Sequence, residues 1–147
     1  RYKYEKAYWF EPLLVDLLVK GIRKTPSAAQ WDWVAPVPIH GLKFRERGFN
    51  QAERLAVSLS KNFSISVKNK LLIRVKNTES QTRLTKKERK SNVSGAFSVP
   101  SEVSVIGRNI LLIDDVFTTG STTNECAKAL KSAGAGHVDV WTLARGV

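Results

Sequence analysis

Apolar residues along this chain follow two rhythms. Ile110-Leu111-Leu112-Ile113 is an unbroken run between polar flanks, the mark of a strand buried on both faces. Cys126, Ala129, Leu130 and Ala133 then recur at helical spacing. Trp31 to Ile39 repeats the first rhythm, and Pro36 and Pro38 should end its regular pairing because proline has no amide to donate. Asn50 to Lys61 repeats the second, with Ala52, Leu55, Ala56 and Leu59 on one face. The pattern predicts strand, loop and helix twice over. If the two strands are parallel neighbours, both loops lie at one carboxyl edge.

The remaining segments are shorter. Residues 1 to 24 read as a helical, basic-aromatic start. Pro12 sits in the helix's first turn, Leu13, Leu14, Leu17 and Leu18 form its apolar stripe, and Gly21 is its stop. A short edge strand is expected around Ile65 and Val67, with further strands in Leu71–Val75 and Gly95–Val99. Asn77 to Gln81 reads as a linker, and Pro100 to Arg108 as a connecting loop. Gly134 and Gly136 end the second helix. Val138, Val140, Trp141 and Leu143 make His137 to Ala144 a closing strand. The whole, 1–147, suits one domain. No apolar run approaches the ~20 residues that span a bilayer, and no signal-peptide core opens the chain. Arg1 in place of Met reads as a fragment or a processed product.

Chemistry concentrates between the first strand and its helix. Asp114 and Asp115 follow the apolar run, then Thr118-Thr119-Gly120-Ser121-Thr122. Gly120 permits a tight backbone and close approach by a ligand. Amides at a helix start lack intrahelical partners, and the helix dipole favours an anion there. Hydroxyls at 118, 119, 121 and 122 add donors, so a phosphate fits. The two aspartates would repel that phosphate. They call for a hydroxyl-bearing part of the same ligand, or a metal between, and a sugar phosphate meets both demands. The competing reading is a solvated turn with the acids as caps. The string lacks the Gly-Lys-Ser/Thr ending of a nucleotide P-loop and the Gly-x-Gly-x-x-Gly of a dinucleotide turn.

Ile110 to Thr122 resembles the phosphoribosyl-pyrophosphate (PRPP) motif of the type I phosphoribosyltransferases: an apolar strand, two acids, then Thr119-Gly120-Ser121-Thr122. Pro36-Val37-Pro38 with Arg47-Gly48-Phe49-Asn50-Gln51-Ala52 resembles the ComF branch of that group. So do Arg74, Gln81, Leu84, Arg89, Asn92 and Ala96-Phe97. The resemblance implies an α/β fold of phosphoribosyltransferase type, a mainly parallel sheet flanked by helices, with a flexible loop over the site. It implies that Asp114 and Asp115 hold ribose hydroxyls and that Thr118, Thr119, Gly120, Ser121 and Thr122 wrap the 5'-phosphate. Ile39, His40 and Gly41 would lie at the pyrophosphate, with Arg45 and Arg47 as charge partners. Arg83 and Arg89 would belong to the flexible loop. Magnesium would enter with the ligand near Asp114 and Asp115. ComF proteins commonly carry an N-terminal zinc module. This chain has no Cys-x-x-Cys, so no zinc ligands are assigned.

Charge widens the picture. Lys and Arg number 24 against 13 Asp and Glu, a formal +11. Such a field favours polyanions, and one PRPP does not require it. Arg83, Lys86, Lys87, Arg89 and Lys90 crowd one segment, read either as a solvated helix or loop or, in Arg83, Lys86, Lys87 and Lys90, as a single-stranded DNA contact. The ComF resemblance implies natural transformation: uptake or processing of incoming single-stranded DNA, a competence helicase as partner, and a cytoplasmic place, peripheral at the inner membrane face. Two functions stay open: a phosphoribosyltransferase of unknown acceptor with no assigned catalytic residue, or a non-catalytic DNA-binding protein whose ribosyl site is regulatory. The lone Cys126 reads as packing and excludes an intrachain disulfide.

Overall fold

A computed structural model describes residues 11–25, 30–39, 44–46, 48–76, 85–117 and 119–145, without the side chains of residues 86, 89, 90 and 145. The chain runs α1 (Glu11–Arg23), β1 (Trp33–Pro36), α2 (Gln51–Phe63), β2 (Ser66–Val67), β3 (Ile73–Arg74), α3 (Lys86–Val93), β4 (Phe97–Ser98), β5 (Asn109–Phe117), α4 (Ser121–Ser132) and β6 (His137–Arg145). Four strands form one sheet in the order β2-β1-β5-β6, and every pairing in it is parallel. β3 and β4 pair antiparallel as a separate ribbon.

The apolar run sits at the centre of that sheet. Successive strand side chains alternate between faces, so Ile110 and Leu112 pack with Ala35 and Val37 on one side and Leu111 and Ile113 pack with Val34 on the other. α4 and the β3–β4 ribbon cover the first face through Cys126, Leu130, Leu72 and Phe97. α1 and α2 cover the second through Leu18, Ile22, Leu55 and Leu59. All four side chains of the run are fully buried. Each contributes roughly 1.5–3 kcal/mol of apolar burial, so β5 is a rigid base for the acids and the turn at its end.

α2 forms as its pattern predicts. Asn50 caps it: its Oδ1 accepts from Ala52 N–H at 3.1 Å, and its Nδ2 donates to Val37 O at 3.1 Å. One buried side chain thus starts the helix and ties it to the end of β1. The predicted strand over 31–39 shortens to Trp33–Pro36. Its last register pair is Pro36 with Ile113, and Val37 N–H still donates to Ile113 O at 2.8 Å.

Three expectations need correction. Gly21 does not stop α1, which runs on to Arg23. A Cβ at Gly21 would stand 2.9 Å from Trp141 Cζ3, so glycine is there to let α1 close on β6. The stripe also shifts: Leu13 and Leu17 are 49% and 57% exposed, while Leu18, Val19 and Ile22 face the sheet. Leu71–Val75 yields only the two strand residues of β3, outside the main sheet.

Candidate functional site

β5 outruns its neighbour β1. Beyond Ile113 it keeps β6 on one flank, pairing Asp114 with Thr142 and Phe117 with Arg145, while β1 has already ended on the other. The half-buried acids therefore lie where the sheet opens. Asp114 Oδ1 accepts from Asp115 N–H at 2.9 Å. Consecutive strand residues face opposite ways, so the two acids bracket the strand's end instead of lining one wall.

The turn after β5 is built around Gly120. Its φ of 73° is left-handed, and α4 starts from it with no side-chain cap and no acid in the first turn. The dipole's positive end thus meets no carboxylate from the helix's own first turn. A Cβ at Gly120 would lie 2.5 Å from Phe117 Cζ, because the Phe117 ring packs directly on the turn. Thr119 Oγ1 and Ser121 Oγ share a 2.7 Å hydrogen bond, and Thr123 Oγ1 donates to Gly120 O at 3.1 Å. The hydroxyls are held by one another before any ligand arrives.

Asp114, Gly120, Ser121 and Thr122 line one hollow of about 40 Å³ with Val116, Phe117 and Thr123. A water needs only ~10–15 Å³ of such space, so the hollow admits more than one water-sized polar group. A cleft of about 510 Å³ shares Phe117, Thr119, Gly120 and Ser121 and reaches Asn124 and Val140. Asp115 is not in the wall of either space. Ile39 lies half-buried just past β1, at the same carboxyl edge. Gln51, first in α2, buries its Nε2 without a partner, a donor of the kind that buried sites rarely leave unused. Arg45 is exposed on a helical turn at 44–46, and Lys87 is exposed on α3. No described contact ties either to Asp114. Thr118, His40, Gly41, Arg47 and Arg83 lie outside the described residues, as do the side chains of Lys86, Arg89 and Lys90.

Arg74 belongs to the ComF pattern in the sequence but has no task there. In the structure it stacks from β3 over Phe97, with Cζ 5.3 Å from the ring centroid, and its charge feels both Cys126 and Asp114. Burial pulls its pKa below the ordinary value, and those two groups pull it back. An arginine still carries its proton at neutral pH, so Asp114 has a cation from the small ribbon beside it. The signal available in the sequence was a cation in an otherwise apolar strand.

Cys126 shares this neighbourhood. Burial first, then the charge of Asp114, push its thiol well above the ordinary 9.0, with Arg74 opposing. The thiol is inert at neutral pH, in keeping with a packing role. A raised folded pKa stabilises the protein fully below the unfolded value, and that share is lost as pH climbs past it. The expected result is a fall in stability between pH 8 and pH 10 to which this group contributes. Thermal melts at pH 8 and pH 10 check it. Cys126→Ala should lose less stability over that interval than the natural chain, and equal losses contradict the burial.

Comparison with known proteins decides the lineage. No family model matches the chain. Competence protein F of Haemophilus influenzae is 36% identical over 149 aligned residues, covering 99% of this chain and 65% of that one. DNA utilization protein YhgH of Escherichia coli is 36% identical, covering 90% of this chain and 57% of that one. This chain is a homologue of these competence and DNA utilization proteins. It spans less than two thirds of the length of either relative. A purine phosphoribosyltransferase from Pyrococcus horikoshii superposes with a TM-score of 0.55 at 18% identity, over 94% of this chain and 74% of that one. The fold of this ComF homologue is therefore that of the type I phosphoribosyltransferases, as the resemblance implied.

Proposed function

We propose that this domain binds a 5-phosphoribosyl ligand such as PRPP, with magnesium, and serves a competence-type protein in uptake or processing of single-stranded DNA. One observation carries the reading. Asp114 and the Gly120-Ser121-Thr122 turn line a single hollow at the open carboxyl edge of β5, in a homologue of competence and DNA utilization proteins. The turn offers donors and a dipole to the phosphate, and the acids offer acceptors to the ribose hydroxyls. Asp115 lines neither cavity, so the second ribose hydroxyl we assign to it would be reached over the strand's end.

Magnesium is commonly held by one or two carboxylates together with the ligand's own phosphates and waters, and Asp114 at the hollow is the carboxylate we assign to it. Bound in that way, it would offset the phosphate charge beside Asp114. Transfer would then be displacement at the ribose anomeric carbon: the acceptor's lone pair forms the new bond as the bond to pyrophosphate breaks. The acceptor supplies the nucleophile. Arg45 and Arg47 are the guanidiniums we assign to the departing pyrophosphate; Arg89, expected in the flexible loop, belongs instead to α3, which the Thr85–Glu88 capping box starts.

No described helix is long and apolar enough to cross a membrane. We place the protein in the cytoplasm, where a competence helicase would be within reach. The second reading, a non-catalytic single-strand binder with a regulatory ribosyl site, is favoured by the formal +11, which exceeds what one ligand uses. The deciding measurement is calorimetric titration with PRPP, with and without Mg2+, repeated with a short single strand present. Saturable binding that weakens sharply without Mg2+ is expected. No heat under either condition would remove the ribosyl reading.

A further inference from the structure

We propose that Trp33, Lys68 and Arg108 form a contact surface for single-stranded DNA near the amino ends of β1 and β5, away from the ribosyl site. The inference rests on the DNA-handling reading and names where the strand lies. Trp33 opens β1, half-buried against the core. Lys68 Nζ and Arg108 Cζ each stand 5.1 Å from the centre of its ring. Two like charges therefore share one indole. The ring's negative face offsets part of their repulsion, and a phosphate would offset more.

These cations are available. Lys68 and Lys70 are exposed, and among the described residues neither has an acidic partner. Arg108 is half-exposed and meets one acid, Asp32, at 3.6 Å. Asp32 also accepts from Asn109 N–H at 2.8 Å through its other oxygen, and its exposed 3.6 Å pair with Arg108 is weak enough for a phosphate to displace. An aromatic ring flanked by cations, with a further lysine close in sequence, matches how non-specific single-strand sites work: phosphates take the charges and a base lies against the ring. A duplex hides its base faces and would use only the charges. Trp33 is in register with Ile110, and Asp114 is four residues farther along β5, roughly 13 Å at strand rise. The two ligands need not compete.

The test uses the whole chain and a labelled oligo-dT, with binding measured across a salt series. Each phosphate contact on a single strand contributes about 0.7 to the slope of log affinity against log salt. Lys68→Gln with Arg108→Gln should therefore flatten that slope by about 1.4 and leave PRPP titration unchanged, whereas Trp33→Leu should weaken single-strand binding more than binding of a duplex of equal length. Lys68→Gln alone breaks no ion pair and should flatten it by about 0.7, which keeps the test open if the double variant is unstable. If the natural chain binds oligo-dT and both variants keep its slope, the surface is wrong and the DNA reading stands. If the natural chain binds no single strand, both fall. Equal losses on duplex and single strand in Trp33→Leu overturn the assignment to single strands.

Discussion

Asp114→Asn with Asp115→Asn is expected to lower affinity for a 5-phosphoribosyl ligand by about 10²- to 10⁴-fold. Hydrogen bonds to charged groups are worth roughly 1.5–3 kcal/mol each, two are removed, and about 1.4 kcal/mol is tenfold. Asparagine keeps the size, and its Oδ1 can still accept the Asp115 amide that Asp114 now holds at 2.9 Å, so the strand end should survive. Cys126 provides an internal check. Asp114 helps hold its thiol up, so the double variant should lower that pKa and make the thiol react sooner as pH rises. A variant with the altered thiol and undiminished PRPP binding would show the acids present and irrelevant to the ligand.

Much of this site was legible because its parts are local. The run Ile110–Ile113 declares a buried strand, and the acids and the glycine-hydroxyl turn follow within ten residues. α2 was equally plain, since Asn50 stands directly before an apolar stripe at helical spacing, and tertiary structure uses both ends of that cap. What failed depended on partners distant in sequence. α1 carries two leucine-valine stripes that satisfy the same period. Which one turns inward is decided by the sheet, and Leu13 and Leu17 lost. Gly21 looked like a stop because glycine commonly ends helices, but only the position of Trp141 explains it.

Arg74 marks the same limit at the site. Its place in the ComF pattern was visible, its nearness to Asp114 was not. Two strand residues in a ribbon outside the main sheet give no periodicity to read. The bracketing of β5 by Asp114 and Asp115 was available from strand alternation alone, had the strand been carried past Ile113. The hydroxyl-rich turn suggested its start lay at the acids, whereas pairing with β6 carries the strand on to Phe117.

Gly120→Ala should be the most damaging single change at the turn, because two costs coincide. A left-handed φ of 73° costs an L-residue about 1–2 kcal/mol. The added Cβ would also stand 2.5 Å from Phe117 Cζ, and forcing a ring aside in packed surroundings costs about 1–3 kcal/mol. Together these predict a fall in Tm of roughly 6–16 °C for a chain of this size, with weakened PRPP binding because the amides at the start of α4 are re-aimed. The two costs separate experimentally. Phe117→Leu in the Gly120→Ala background removes the ring and should restore the steric share of stability, leaving the backbone share. Ligand affinity should recover only in part, since the phosphate is gripped by main-chain geometry that alanine still disfavours. Full recovery of both would mean that Phe117, and not the left-handed turn, is what glycine serves. No loss in Gly120→Ala alone would mean that neither constraint holds and that the turn has another shape.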